Sequence, residues 1–277
     1  MEPFILQDKE YFIIESWCQK HPQLTAGFST KNGGLSQEDF SSLNIAFHVN
    51  DAEETVRKNR QILADKLQFP MDNWVGAEQT HKVAIKEVTK GHRGKGVYNY
   101  ESAVPDTDGF FTLEKGVLLT LCYADCVPLY FFHPQTGAIG IAHAGWKGTV
   151  SGIAKEMMEV FHSHGIDPKE VQIVIGPSIT ERHYVVDSKV INEVDKIIGK
   201  AAKKPYRQVS KGQYQLNLQQ LNRQILVEAG AKEEYIATTS YCTSEDKDYF
   251  FSHRRDHGKT GRMMSFIGFR EDERKKC

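Results

Sequence analysis

The segment VLLTLCYADCVPLYFFHPQTGAIGIAHAGWKG, residues 117–148, constrains the fold most. It holds three apolar runs, Val117–Cys122, Leu129–His133 and Ala138–His143, with the β-branched and aromatic bias of sheets. Comparable strand runs are Thr25–Thr30, Asn44–Val49, Trp74–His81, Val83–Val88 and Gly109–Leu113, followed later by Val171–Gly176, Tyr235–Tyr241, Tyr249–Ser252 and Met263–Phe269. Pro128 cannot donate to a ladder and predicts a turn or bulge beside Cys126.

Four helices interrupt these strands. DAEETVRKNRQILADKL opens on Asp51 with Glu54 three residues on, an acidic version of the capping box. Val56, Leu63 and Leu67 form its apolar stripe. GTVSGIAKEMMEVFHSHG predicts a helix to about His164 that stops at Gly165. The segments 187–200 and 216–230 supply the third and fourth. Many strands with few, irregularly placed helices predict an α+β fold rather than a doubly wound sheet. No composition shift marks a linker and no repeat is present. The expectation is a single compact catalytic domain over residues 1–277, with mixed β-sheets flanked by helices.

Charge and cysteine usage narrow the function. Lys plus Arg total 35 against 36 for Asp plus Glu, a net charge of −1 that gives no pull toward nucleic acid or membrane. The start MEPFILQDKEYFII lacks the pattern of a signal peptide, and the apolar stretch Val117–Phe132 is broken by Asp125 and Pro128. The expected location is cytoplasmic. Five cysteines, an odd number without paired short spacing, fit neither a disulfide framework nor a zinc knuckle. Cys277 reads as a frayed surface thiol and Cys122 as core. The glycine-rich GHRGKG at 91–96 lacks the spacing of a phosphate loop, and KNGGLS at 31–36 reads as a tight turn.

Cys126 stands apart, because His81 and His143 fall at comparable strand ends, 45 residues before it and 17 after it. Strand ends of this kind commonly line pockets. Two histidines and a cysteine suit a catalytic zinc with one open position. They equally suit a Cys–His nucleophilic dyad, in which an imidazole draws the thiol toward thiolate. Spacing alone does not choose between these and an ordinary core role.

The blocks SLNIAFHVND, EQTH, DTDGFFT, YADCVPLYF, AHAGWKGTVSGI, VIGPSI and YFFSHRRDHGKTGRM occur in the order expected for the YfiH/YlmD-type family. The chain resembles that family from about Thr25 to Phe269. Its members were labelled multicopper polyphenol oxidase or laccase-domain proteins and are assigned as purine nucleoside phosphorylases. The resemblance implies phosphorolysis of adenosine, inosine and S-methyl-5'-thioadenosine, with phosphate as co-substrate, and adenosine deamination besides. It implies a metal set that falls on His81, Cys126 and His143, with zinc as the metal and copper as the alternative. The implied fold is a YfiH-like α+β domain related to a group of cysteine hydrolases. Where many members carry a cysteine after VIGPSI, this chain has TERHYVVD, so that cysteine's role is not carried over.

Phosphorolysis requires an oxyanion site. Arg254 and Arg255 are the candidate phosphate binders, with Arg60 and Asn44 as pocket walls and Gln79 sharing a strand face with His81. Asp125 reads either as a carboxylate orienting a ligand histidine or as a turn residue. His48 reads either as a site residue or as a satisfied strand histidine, and His253 and His257 as solvent-facing. Three other readings stay open: a cysteine hydrolase or deamidase through Cys126 and His143, a copper polyphenol oxidase, and a metal-binding module without activity. A multicopper site needs several HxH pairs. The one HSH, at 162–164, ends a helix, where its side chains diverge. The sequence leaves the preferred nucleoside and the oligomeric state open.

Overall fold

The computed structural model describes residues 2–198 and 203–271. Its strands are β1 (Phe4–Asp8), β2 (Tyr11–Ile14), β3 (Leu24–Ser29), β4 (Trp74–Val75), β5 (Ile85–Glu87), β6 (Gly109–Thr112), β7 (Leu118–Tyr123) and β8 (Val127–His133). They continue with β9 (Ala138–Ala144), β10 (Gln172–Ile175), β11 (Val185–Asp187), β12 (Tyr206–Ser210), β13 (Gln213–Leu216), β14 (Ile236–Thr238) and β15 (Met263–Phe269). The helices are α1 (Glu15–Lys20), α2 (Glu53–Leu67), α3 (Trp146–Val150), α4 (Ile153–Ser163), α5 (Ser188–Ile197) and α6 (Leu218–Glu228). The result is the expected α+β domain. One six-stranded sheet has the order β1-β2-β3-β15-β7-β4, a second β14-β10-β8-β9-β6-β5, and a three-stranded sheet β11-β13-β12. Both large sheets are mixed: β4 runs parallel to β7, β5 to β6 and β14 to β10.

The second sheet is buried on both faces, and the period of two in its strands sorts its side chains. Tyr130, Phe132, Ile139 and Ile141 face the first sheet and meet Phe28, Leu119, Leu121 and Tyr123. Val127, Leu129, Phe131, Ala142 and Ala144 face the other way, against Ile153, Met157 and Phe161 of α4 and Leu221 of α6. Each fully buried large apolar side chain contributes roughly 1.5–3 kcal/mol. The Tyr130 hydroxyl donates to the Gly27 carbonyl (2.7 Å), tying the second sheet to the first.

Several local expectations are corrected. The anticipated helix from Gly148 is two helices, because Gly152 takes φ +94°, a conformation glycine adopts readily. The acidic capping box does not form. Ala52 is the cap of α2, and Asp51 instead accepts from Ser36 Oγ (2.6 Å) and Asn44 Nδ2 (2.9 Å). Asn44–Val49 and Tyr249–Ser252 are not strands, and Trp74–His81 is strand only at its first two residues. The hairpin β1–β2 and the small third sheet were not anticipated. Residues 199–200 of the third expected helix, and Cys277, lie outside the described residues. No described helix is long and apolar enough to cross a membrane.

Candidate active site

On β9, Ile139, Ile141 and His143 share the face that looks into the sandwich. His143 is the last of the row, 3% exposed, where the apolar filling ends. Cys126 directly precedes β8, on the same face as Tyr130 and Phe132, and the pairing of Pro128 with His143 sets it beside the imidazole. The chain turns into β8 at Asp125, with φ +86°. Its carboxylate holds the turn by accepting from Thr243 Oγ1 (2.6 Å) and the Arg254 N–H (2.7 Å). The expected irregularity therefore lies at Asp125 and not at Pro128, which sits within β8 with its carbonyl accepting from the Gly176 N–H (2.8 Å). Asp125 orients no histidine.

That task falls to Asp108, which sequence reasoning passed over inside the DTDGFFT block. Its buried carboxylate accepts from His143 Nδ1 (2.8 Å) and from the N–H groups of Thr80 (3.0 Å), His81 (3.0 Å) and Lys82 (2.9 Å). Burial would raise its pKa, but His143 and the backbone donors hold it below the ordinary carboxylate range. The three N–H bonds wrap the 80–82 loop around one anion and leave His81 at φ +61°. His81 is thus on a strained loop rather than a strand end. With Nδ1–H committed to Asp108, His143 turns Nε2 toward the site.

His81, Cys126 and His143 place their donor atoms within 4.8 Å of one another. The two imidazole rings lie 4.7 Å apart, nearly perpendicular at 80°. Burial alone would push the Cys126 thiol up, but the neighbouring His143 and His81 outweigh it and hold it down to about 6. Burial likewise opposes a charge on His143, which Cys126 and Asp108 raise to about 9. Two imidazoles and a thiol poised as thiolate, beside open space, fit a zinc ion with a vacant position. Gly145, which starts α3, permits the convergence. A Cβ there would lie 3.0 Å from Cys126 Sγ and 3.4 Å from His81 Cδ2.

Two cavities of 430 and 330 Å³ meet at this group, sharing His81, Asp125, Cys126, Trp146, Ile179 and Tyr184. The larger is also lined by His48, Tyr100, His253, Arg254 and Arg262, the smaller by Lys147 and Leu218. Arg254 lines the larger cavity, its guanidinium 5.2 Å from the Tyr184 ring. Gln79 lines it too, but its amide is spent on the Cys122 backbone (2.9 and 2.7 Å).

The other expected polar residues do not reach the cavity. Arg255 turns away, onto Asp256 and the carbonyls of Thr243 and Phe250. Asn44 is buried and bonded to Ala46, Asp51 and Arg262 backbone or side-chain atoms. Arg60 is buried on the carbonyls of Ile45, Gly96 and Val97, where desolvation pushes its pKa down to about 10. His253, expected to face solvent, does line the cavity, and so does His48, for which a site role had stayed open. Desolvation at the cavity wall, with the Arg262 and Arg60 charges nearby, pushes His48 down to about 4. Arg262, in the same GKTGRM stretch, was missed. It donates only to the Thr260 and Gly261 carbonyls (2.7 and 3.0 Å), and among the described residues no carboxylate pairs with it.

Residues 25–270 match the family described as multi-copper polyphenol oxidoreductase laccase. The chain is 45% identical, over 97% of its length and 98% of the relative's, to the Bacillus subtilis protein named purine nucleoside phosphorylase YlmD. It is 36% identical, over 94% and 99% of the two chains, to purine nucleoside phosphorylase SERP0752 of Staphylococcus epidermidis. The crystal structure of Bacillus licheniformis hypothetical protein YfiH superposes with a TM-score of 0.94 at 45% identity, covering 98% of this chain and 100% of that one. With both sequence and fold matched almost end to end, the chain belongs to the multi-copper polyphenol oxidoreductase laccase family, in its YfiH/YlmD group.

Proposed function

We propose that this protein is a purine nucleoside phosphorylase acting on adenosine, inosine and S-methyl-5'-thioadenosine, with adenosine deaminase activity, at a zinc site formed by His81, Cys126 and His143. The observation that carries the reading is the juxtaposition of that donor group with two arginines that, among the described residues, have no carboxylate partner, in a chain whose relatives bear the phosphorylase name. Phosphorolysis joins phosphate to the ribose carbon that the base leaves, so both reactants must meet in one cavity. Arg262 and Arg254 supply guanidinium donors that match a phosphate oxyanion. Trp146, Tyr184 and Leu218 line the adjoining lobe with flat and apolar surface suited to a purine. Asp108 holds His143 in one tautomer and His81 in one loop conformation, so the donor group is preorganised. A bound zinc ion supplies Lewis acidity and lowers the pKa of water, which suits the deamination. A cytoplasmic setting belongs to the same proposal, since a thiol donor requires a reducing compartment.

A nucleoside panel with and without phosphate, read by chromatography, tests this. Release of hypoxanthine from inosine should require phosphate and yield ribose 1-phosphate, and adenosine should also give inosine. Equal release without phosphate would make the enzyme a hydrolase, and inert nucleosides would end the proposal. One observation favours a second reading: the lowered Cys126 thiol beside a raised His143 is also the signature of a cysteine hydrolase. That reading requires turnover that survives chelation and is lost on thiol alkylation.

A further inference from the structure

A second group of metal donors lies outside the cavity, where two turns are locked together. One is Cys242–Glu245. The Cys242 carbonyl accepts from the N–H groups of Glu245 (3.2 Å) and Asp246 (2.8 Å), which folds Glu245 back over the cysteine. The other is Thr180–His183, closed by the His183 N–H on the Thr180 carbonyl (3.0 Å). A parallel bridge between Ser178 and Cys242, and the Thr243 N–H on the Ser178 carbonyl (3.0 Å), join the two turns. The Thr180 N–H points at Cys242 Sγ (3.4 Å), a contact that favours the thiolate a metal requires.

We propose that His183 Nε2, Cys242 Sγ and Glu245 Oε2 form a second site for a divalent d-block cation of the zinc class. His183 Nε2 and Glu245 Oε2 are 3.5 Å apart. Tetrahedral zinc with bonds of about 2.0–2.3 Å sets its donors about 3.3–3.7 Å apart, so this pair already has the right edge. The three donor atoms lie within 4.8 Å of one another, and modest side-chain rotation of the two surface residues closes the rest. One thiolate and one carboxylate balance the dication, and the exposed side leaves a fourth position for water. Arg182 Nη1 spans both oxygens of Glu245, Oε1 at 3.0 Å and Oε2 at 3.4 Å, and so holds the carboxylate beside His183. The occupied site staples the cavity wall: Thr243, next to Cys242, bonds Asp125, and Tyr184, next to His183, lines the cavity.

This inference does not rest on the nucleoside reading, and its test reads metal alone. Metal-free protein is dialysed against micromolar Zn2+ and its bound zinc measured. The wild type should hold two equivalents. His183→Gln and Glu245→Gln should each hold one, and Cys126→Ser should keep the one that they lose. With Co2+ in the Cys126→Ser background, a thiolate-to-cobalt absorption band should persist and should vanish on adding Cys242→Ser. A wild-type zinc content that neither His183→Gln nor Glu245→Gln lowers, whether it is one equivalent or two, overturns the site. Should Cys242→Ser fail to fold, these two surface variants decide the matter.

Discussion

Asp108 accepts five hydrogen bonds, from His143 Nδ1, Thr80 Oγ1 and the N–H groups of Thr80, His81 and Lys82, and it thereby positions two imidazoles at once. The left-handed backbone of His81 costs roughly 1–3 kcal/mol, a strain that persists because the buried carboxylate over-determines the loop. The arginines divide by the same criterion of what their donors already hold. Arg255 is held by carbonyls and Asp256, whereas the guanidinium groups of Arg254 and Arg262 bond carbonyls only and, among the described residues, pair with no carboxylate at the cavity. Arg254→Ala and Arg262→Ala should each raise the KM for phosphate in inosine cleavage. One charge-assisted contact is worth roughly 1.5–3 kcal/mol, or about one to two decades. Adenosine deamination, which consumes water, should suffer far less. Arg255→Ala should lower the melting temperature and leave the phosphate KM alone. Equal damage to both reactions in the first two variants would make those arginines shapers of the pocket instead.

At the scale of elements, the site is assembled where β8 begins and β9 gives way to α3, and Gly145 is the hinge of that arrangement. Gly145→Ala should cost turnover by about tenfold to a hundredfold, because a methyl group 3.0 Å from Cys126 Sγ forces the thiolate off its position. Bound zinc should fall in parallel while the melting temperature changes little. Unchanged zinc affinity would show that the thiolate tolerates the displacement. The strands around this hinge were legible because buried strands write their period in apolar residues: β6 to β10 and β15 lie close to their expected positions. Cys126 and His143 were legible as polar residues ending such runs. The third sheet was not, since its short strands YRQVS and QYQL are largely polar and its apolar face is only Tyr206, Tyr214 and Leu216, too few to mark a strand period. Asn44 and Arg60 misled for a related reason. A buried polar residue serving backbone carbonyls looks, in sequence, like one serving a ligand. Asp108 announced nothing locally, because its partners lie 26 to 35 residues away, on the 80–82 loop and at the end of β9, and Arg262 announced nothing because its place on the cavity wall is set by the fold.

Across the whole molecule, two six-stranded sheets enclose one apolar core, and the cavity lies where that core runs out. Aromatic and aliphatic residues fill that core, with Cys126 packed against it and His143 buried at its end. The central claim is that His81, Cys126 and His143 act as one zinc-bearing catalytic centre. It is tested most directly by measuring inosine phosphorolysis and bound zinc together in purified Cys126→Ala and His143→Ala. Both variants should keep the fold, judged by circular dichroism. Metal-free Cys126→Ala should melt within a few degrees of the wild type, about 1 kcal/mol or less, and His143→Ala should melt lower, because the buried Asp108 carboxylate loses its imidazole partner. Each should lose one equivalent of zinc and all turnover above background. Near-normal phosphorolysis in either folded variant would contradict the claim.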